Sequence, residues 1–207
     1  TSGNSGYSDP EIYYHLIQSA MCQMDGDLEG SAGEMQEANR LASIIPPTMV
    51  RENVTAQQVW VDLASGRPAR AEQRLFEKGF AADGHYCIPH LAPGEVVTLE
   101  SGLLYNSALR ILLYQARQKP ESVDLVQGLA VAQRVLEGEL RCQHLPVALE
   151  TLMLISQMHA LRGERALSLA AATRALELAE PEGFISTFTE EGQPAAGILA
   201  GLLAEEG

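Results

Sequence analysis

Arg174–Gly192, RALELAEPEGFISTFTEEG, is the stretch whose reading decides the fold. Ala175-Leu176-Glu177-Leu178-Ala179 is the end of an amphipathic helix of small residues. Pro181 and Gly183 stop it, because proline lacks an N–H and glycine accepts left-handed backbone angles. Upstream, Gly163-Glu164-Arg165-Ala166 makes a tight turn out of a preceding helix. Helix, Gly-centred turn and small-residue helix make one helical-hairpin repeat. A single hairpin cannot bury its apolar face, so several must stack.

The same grammar runs through the chain. Asp9-Pro10-Glu11 opens a helix carried by Ile12, Leu16 and Ala20 to Met24, and Gly26-Asp27 breaks it. A second helix spans 28–43, and Pro46-Pro47 ends that hairpin. A third spans 52–65; Gly66-Arg67-Pro68 turns the chain into a shorter helix through Ala71 and Leu75 to Lys78. Residues 79–94, rich in Gly, Pro and His, read as a loop. A long helix spans 96–118, and Lys119-Pro120 restarts the chain as a helix to about Cys142. Leu145-Pro146 opens a helix to Leu161, Gly163 turns it into one ending at Glu180, and a last helix spans 194–204.

The hairpin turns fall at Gly26, Gly66, Gln118 and Gly163, separated by 40, 52 and 45 residues, so no strict period exists. Tetratricopeptide register fits the turn glycines Gly26, Gly66 and Gly163 and the small residues Ala38, Ala71 and Ala175. The third unit departs, with Gln118 at the turn and helices that are too long. The fold expected is all-α: a single domain over 1–207, an α-solenoid of about four helical hairpins forming a tetratricopeptide-like superhelix. Other helical-hairpin solenoids stay open.

Composition agrees. Hydrophobic residues make up 46% of the 207, aromatics only 5%, and Ala and Leu dominate, which favours closely packed helices over a sandwich or barrel. The formal charge is -13, from 14 Lys and Arg against 27 Asp and Glu, which argues against direct nucleic-acid contact. Cys22, Cys87 and Cys142 are odd in number and widely spaced, so they read as thiols of a reducing cytoplasm. No apolar run reaches the roughly 18 residues of a membrane span. Thr1-Ser2-Gly3-Asn4-Ser5-Gly6 is small and polar and reads as a loop, and the chain as a piece of a longer protein.

Glu180-Pro181-Glu182-Gly183-Phe184, followed by Phe188, Glu190, Glu191 and Gly192, resembles the "AEPEGY…F…DEG" end of the helical-repeat domain in large ATP-dependent, MalT-like LuxR-family transcription regulators. Ala166-Leu167 and Ala175–Ala179 share the likeness, which is specific over 146–203 and generic before Cys142. The resemblance implies a non-catalytic sensor segment that binds an inducer and controls self-association. In that family a nucleotide-binding module precedes the repeats and a helix-turn-helix domain follows them. This chain has no G-x-x-x-x-G-K-[ST] loop, so no cofactor is expected here, and ATP belongs only to a nucleotide-binding module outside it. Partners expected are a small-molecule inducer or a protein or peptide, with homo-oligomerisation left open and neither nucleic acid nor membrane contacted. The rival is a generic tetratricopeptide scaffold holding a peptide or protein in its groove.

In the repeat register the first helix of each hairpin points Tyr13, Ala20 and Gln23, then Trp60, then Tyr105, Leu112 and Gln115, then Glu150, Met153 and Gln157 to the concave face. Aromatic rings, amides and one acid suit a small ligand; Trp60 and Tyr105 also read as packing residues. His85-Tyr86-Cys87 and His90 lack a fourth ligand and paired Cys-x-x-Cys geometry, so a loop is expected rather than a metal site. Asp25-Gly26-Asp27 lacks the later acidic anchor of a calcium loop and reads as a turn. Glu190-Glu191 reads as a solvated acidic turn, and no catalytic spacing is visible.

Overall fold

A computed structural model describes residues 8–44, 49–92 and 94–205. They form ten α-helices and one two-residue β-hairpin, an all-α fold. The contacts divide the chain into two compact units, Thr1–Tyr86 and Cys87–Gly207. The boundary falls inside the segment that the sequence reads as a loop. Ala81–Ala82 and His85–Tyr86 pair there as antiparallel strands β1 and β2, a feature too short for a periodicity reading to detect.

Within the first unit, α1 (Ser8–Met24) and α2 (Leu28–Ile44) form one hairpin, and α3 (Met49–Ala64) and α4 (Pro68–Phe76) the next. Helix α3 packs on both α1 and α2, as the first helix of a repeat does on the preceding hairpin. Its core gathers Ile12, Met35, Ala38, Leu41, Val54 and Val61. Pro46-Pro47 and the first six residues lie outside the described residues.

The second unit pairs α5 (Leu99–Gln118) with α6 (Leu125–Arg141), and α7 (Leu145–Leu161) with α8 (Arg165–Ala179). Helix α7 packs on α5 and α6, repeating the stacking of the first unit. Short α9 (Ser186–Glu190) leads into α10 (Gly192–Glu205), which lies on α7 and α8. The core is built from Leu109, Leu113, Leu149, Leu152, Met158, Ala172 and their neighbours.

Local chemistry sets the boundaries. Helix α5 starts at Leu99 rather than at the expected residue 96, because Thr98 accepts from the Ser101 N–H at 3.2 Å in a reciprocal capping box. Helix α6 starts after Asp124, whose carboxylate accepts from the N–H groups of Val126 and Gln127. Pro120–Ser122, expected to be helix α6's first turn, is a separate 3-10 turn.

Two hairpins share one internal register. The Ser19 hydroxyl donates to the Ser31 carbonyl at 3.1 Å, and the Ser156 hydroxyl to the Ser168 carbonyl at 2.8 Å. In both cases the pair is twelve residues apart and fully or almost fully buried. It marks where the two helices come closest, a place where only small side chains fit. The turn glycines Gly26 and Gly163 sit at the same place in each hairpin, as do Ala38 and Ala175. In the third hairpin a Cβ on Gly128 would lie 2.3 Å from Leu112 Cδ2, so the close approach falls between those two residues, sixteen apart. The longer connector through the 3-10 turn explains why that unit departs from the expected spacing.

Gly26, Gly66 and Gly163 have φ of 80, 68 and 75°. After each, the next N–H returns to a carbonyl five residues back: Asp27 to Cys22, Arg67 to Asp62, Glu164 to His159. Gln143 makes the same turn at φ 60° between α6 and α7 without a glycine. A Cβ at Gly163 would meet no atom within 4 Å, so only backbone strain opposes a side chain there. Gly163→Ala is therefore expected to cost about 1–2 kcal/mol, and Gly163→Asn less, in urea unfolding followed by circular dichroism.

Candidate functional site

Two α5 arginines stand seven residues apart, as do two polar residues of α7. Seven residues are two helical turns, so each pair shares a face. The register joins them: Arg110 donates from Nη2 to Glu150 Oε1 at 2.6 Å and from Nε to the same oxygen at 3.1 Å. Arg117 donates from Nη2 to Gln157 Oε1. Glu191, at the end of α9, closes the cluster. Its Oε1 accepts from Arg110 Nη2 at 2.6 Å and its Oε2 from Gln157 Nε2 at 2.7 Å.

The Glu191 side chain is only 3% exposed and that of Arg110 9%. Glu191 is therefore a buried carboxylate with a full set of partners, not the solvated turn acid expected. Gly192, with φ 65°, then reverses the chain into α10. Burial works against the charge on Arg110, but the carboxylates of Glu191 and Glu150 outweigh it and its pKa is raised. Desolvation lowers that of Arg117, opposed by Glu191 and assisted by the like charge of Arg110. The cluster is thus a cationic cradle filled by the chain's own carboxylate. It ties α5, α7 and the α9–α10 segment together.

Of the residues expected to face a ligand, Glu150 and Gln157 enter this cradle. Met153 does not: it is 0% exposed in the core cluster, because it points from α7 into the packed interior. Tyr105 is 7% exposed and also buried. Gln115 and Leu112 are half-buried on α5. Tyr13, Ala20, Gln23 and Trp60 belong to the first unit, all half-buried. There the Asn53 amide donates to the Tyr13 hydroxyl at 3.5 Å, and Gln23 Oε1 is buried without a hydrogen-bond partner among the described residues. The sequence reading missed Arg110, Arg117 and Glu191. The matching seven-residue spacing of the two arginines on α5 and of Glu150 and Gln157 on α7 was the signal available.

A pocket of about 290 Å³ lies between α6 and the segment before α5, floored by Leu91 and Val97 and edged by Arg134, Glu137 and Arg141. None of the expected ligand residues lines it. His90 Nε2 lies 3.1 Å from Arg134 Nη1, and no group of three or more metal-ligating side chains gathers among the described residues. Asp27 caps α2 by accepting from the Gly30 N–H at 2.8 Å. No helix among the described residues is long and apolar enough to cross a membrane.

A second polar centre lies in the α5–α6–α7 core. Glu139 is 0% exposed. Thr151 Oγ1 sits 2.8 Å from Glu139 Oε2, 2.8 Å from Asn106 Oδ1 and 2.9 Å from the Val147 carbonyl. One hydroxyl proton cannot serve three acceptors. A protonated Glu139 resolves the count by donating to Thr151, which donates onward to Asn106, while the Val147 carbonyl accepts from Asn106 Nδ2 at 3.2 Å. Desolvation accordingly pushes the Glu139 carboxyl up to about 8, aided by the Glu150 charge and opposed by the Thr151 bond. Glu139 Oε1 has no partner among the described residues, and a Cβ on Gly102 would lie 2.6 Å from it.

Comparison of the chain with protein-family models, curated proteins and solved structures finds no match.

The buried carboxyl has a pH signature. The folded chain keeps the Glu139 proton to about pH 8, whereas an unfolded glutamate releases it near pH ~4.3. Unfolding therefore releases a proton between those values, and stability falls as pH rises across that window. Glu139→Gln should flatten this slope. It should be at least about 1 kcal/mol more stable than the parent at pH 8, and similar at pH 5, in urea titrations.

Proposed function

We propose that the chain is the non-catalytic effector-sensing and self-association domain of a MalT-like LuxR-family transcription regulator working in the cytoplasm. The observation that carries the reading is the clasp on Glu191. The acid belongs to the stretch that resembles the end of that family's repeat domain, and it is held by Gln157 together with Arg110, the partner of Glu150. The clasp gives this stretch a physical role: it docks the C-terminal helices on the α5–α8 hairpins. A cradle in which Arg110 and the Gln157 amide hold a carboxylate, with Arg117 bound behind that amide, also suits an effector that competes for the place, a small anion bearing carboxylate or phosphate.

In this reading the effector displaces Glu191, frees α9–α10 and shifts the parent toward its assembling state. The shift requires the effector to prefer the open form, since a ligand moves an equilibrium only by its differential affinity. The scaffold alternative places a peptide on the helical faces and leaves the clasp closed.

The test is a binding screen of small carboxylates, phosphates, neutral sugars and short peptides, followed by hydrogen exchange on the hits. The expected result is an anionic hit that speeds exchange of the α10 amides. It should lose roughly tenfold or more in affinity in Arg117→Ala, whose fold the two carboxylate bonds of Arg110 maintain. Binding by peptides alone, or by a small molecule that leaves α10 exchange unchanged, rejects the reading.

A further inference from the structure

Tyr14, Ile17, Met21 and Met24 of α1 are 57, 58, 52 and 57% exposed. Their spacing of three, four and three residues places them on one face as an apolar seam. Such a face on a folded surface marks a docking site when something on the molecule says what covers it. Here the internal repeat shows that such a face accepts a helix, and the charge around it says of what kind. In the register that equates Gly26 with Gly163 and Ser19 with Ser156, Tyr14, Ile17 and Met21 fall at the places of Thr151, Leu154 and Met158 of α7. Those three are 0, 1 and 0% exposed. The preceding hairpin covers them: Thr151 bonds Asn106 of α5 and Glu139 of α6, and the Met158 sulfur packs by Gly128 of α6. The α1 seam is thus the face that a repeat of this type offers to a neighbouring helix.

The seam's two ends are acidic, and Arg40 of α2, beside Glu11, is held by Glu37. Helix α1 has Asp9 and Glu11 in its first turn and no lysine or arginine, and exposed Asp25, Asp27 and Glu29 follow at the turn. The nearest histidine, His15, is turned to Glu34 at 2.6 Å. A second copy would bring the same acids together on a chain of net charge -13. We propose that the α1 seam docks an amphipathic helix of a partner protein whose apolar ridge is flanked by lysine or arginine. This surface is separate from the Glu191 clasp and does not depend on how that clasp works.

The test uses the full chain and two labelled synthetic helical peptides with the same leucine ridge, one flanked by lysines and the other by glutamates. Ile17→Glu and Met21→Glu change exposed side chains, and circular dichroism checks that both variants stay folded. The lysine peptide should bind, weaken as salt rises, and lose roughly tenfold or more in affinity in each variant. The glutamate peptide should bind at least about tenfold more weakly than the lysine peptide. Failure of the lysine peptide to bind, equal binding of the two peptides, or unchanged affinity in the variants overturns the proposal. So does sedimentation showing a dimer that Ile17→Glu dissolves, because the occupant is then a second copy.

Discussion

The second unit depends on where the Glu191 carboxylate goes. A buried carboxylate without partners costs several kcal/mol, so a chain that buries one must supply donors. Arg110 and Gln157 supply them, and Arg110 is in turn held by Glu150. These bonds require α5 and α7 to keep their relative register, since both cross-links join residues 40 apart. They also require α9 to end at the mouth of that helix pair. Apolar packing of Phe188 and Ala195 adds area to the same joint but not direction. The ion pairs provide the direction.

The hairpins follow from a second constraint, the closeness of paired helices. Serine pairs buried at equivalent places in the first and fourth hairpins show that the chain uses small polar residues there and satisfies them against the facing carbonyl. Larger side chains at these places would push the helices apart. Left-handed glycines then fix the reversal of three hairpins, and Gln143 makes the same turn between the third hairpin and the fourth. The Glu139–Thr151–Asn106 centre shows how the interior treats a polar group it cannot hydrate: a proton replaces the missing donor.

Helix positions were legible because turn glycines, prolines and 3.6-residue periodicity are local signals. Two of the boundaries that shifted are set by caps, Thr98 and Asp124, whose role depends on a backbone N–H two or three residues on. The β-strand pair at 81–86 and helix α9 are too short to carry a period. Of the site, Glu150 and Gln157 were legible as polar residues on a helix face. The repeat register places Met153 with them, and three or four residues do keep it on nearly the same side of α7, but the apolar core closes over it. Glu191 was misread because a pair of acids beside a glycine is most often solvated. Its burial is set by Arg110, 81 residues away, and no local pattern encodes that distance.

The central claim, that Arg110 and Glu191 act as one unit holding the C-terminal helices, is tested most directly by a double-mutant cycle. Arg110→Met, Glu191→Gln and the double variant would be unfolded in urea at pH 7. The account predicts that each single change destabilises the chain and that the pair is coupled by about 1–3 kcal/mol. Independent effects that simply add, with coupling near zero, would contradict it.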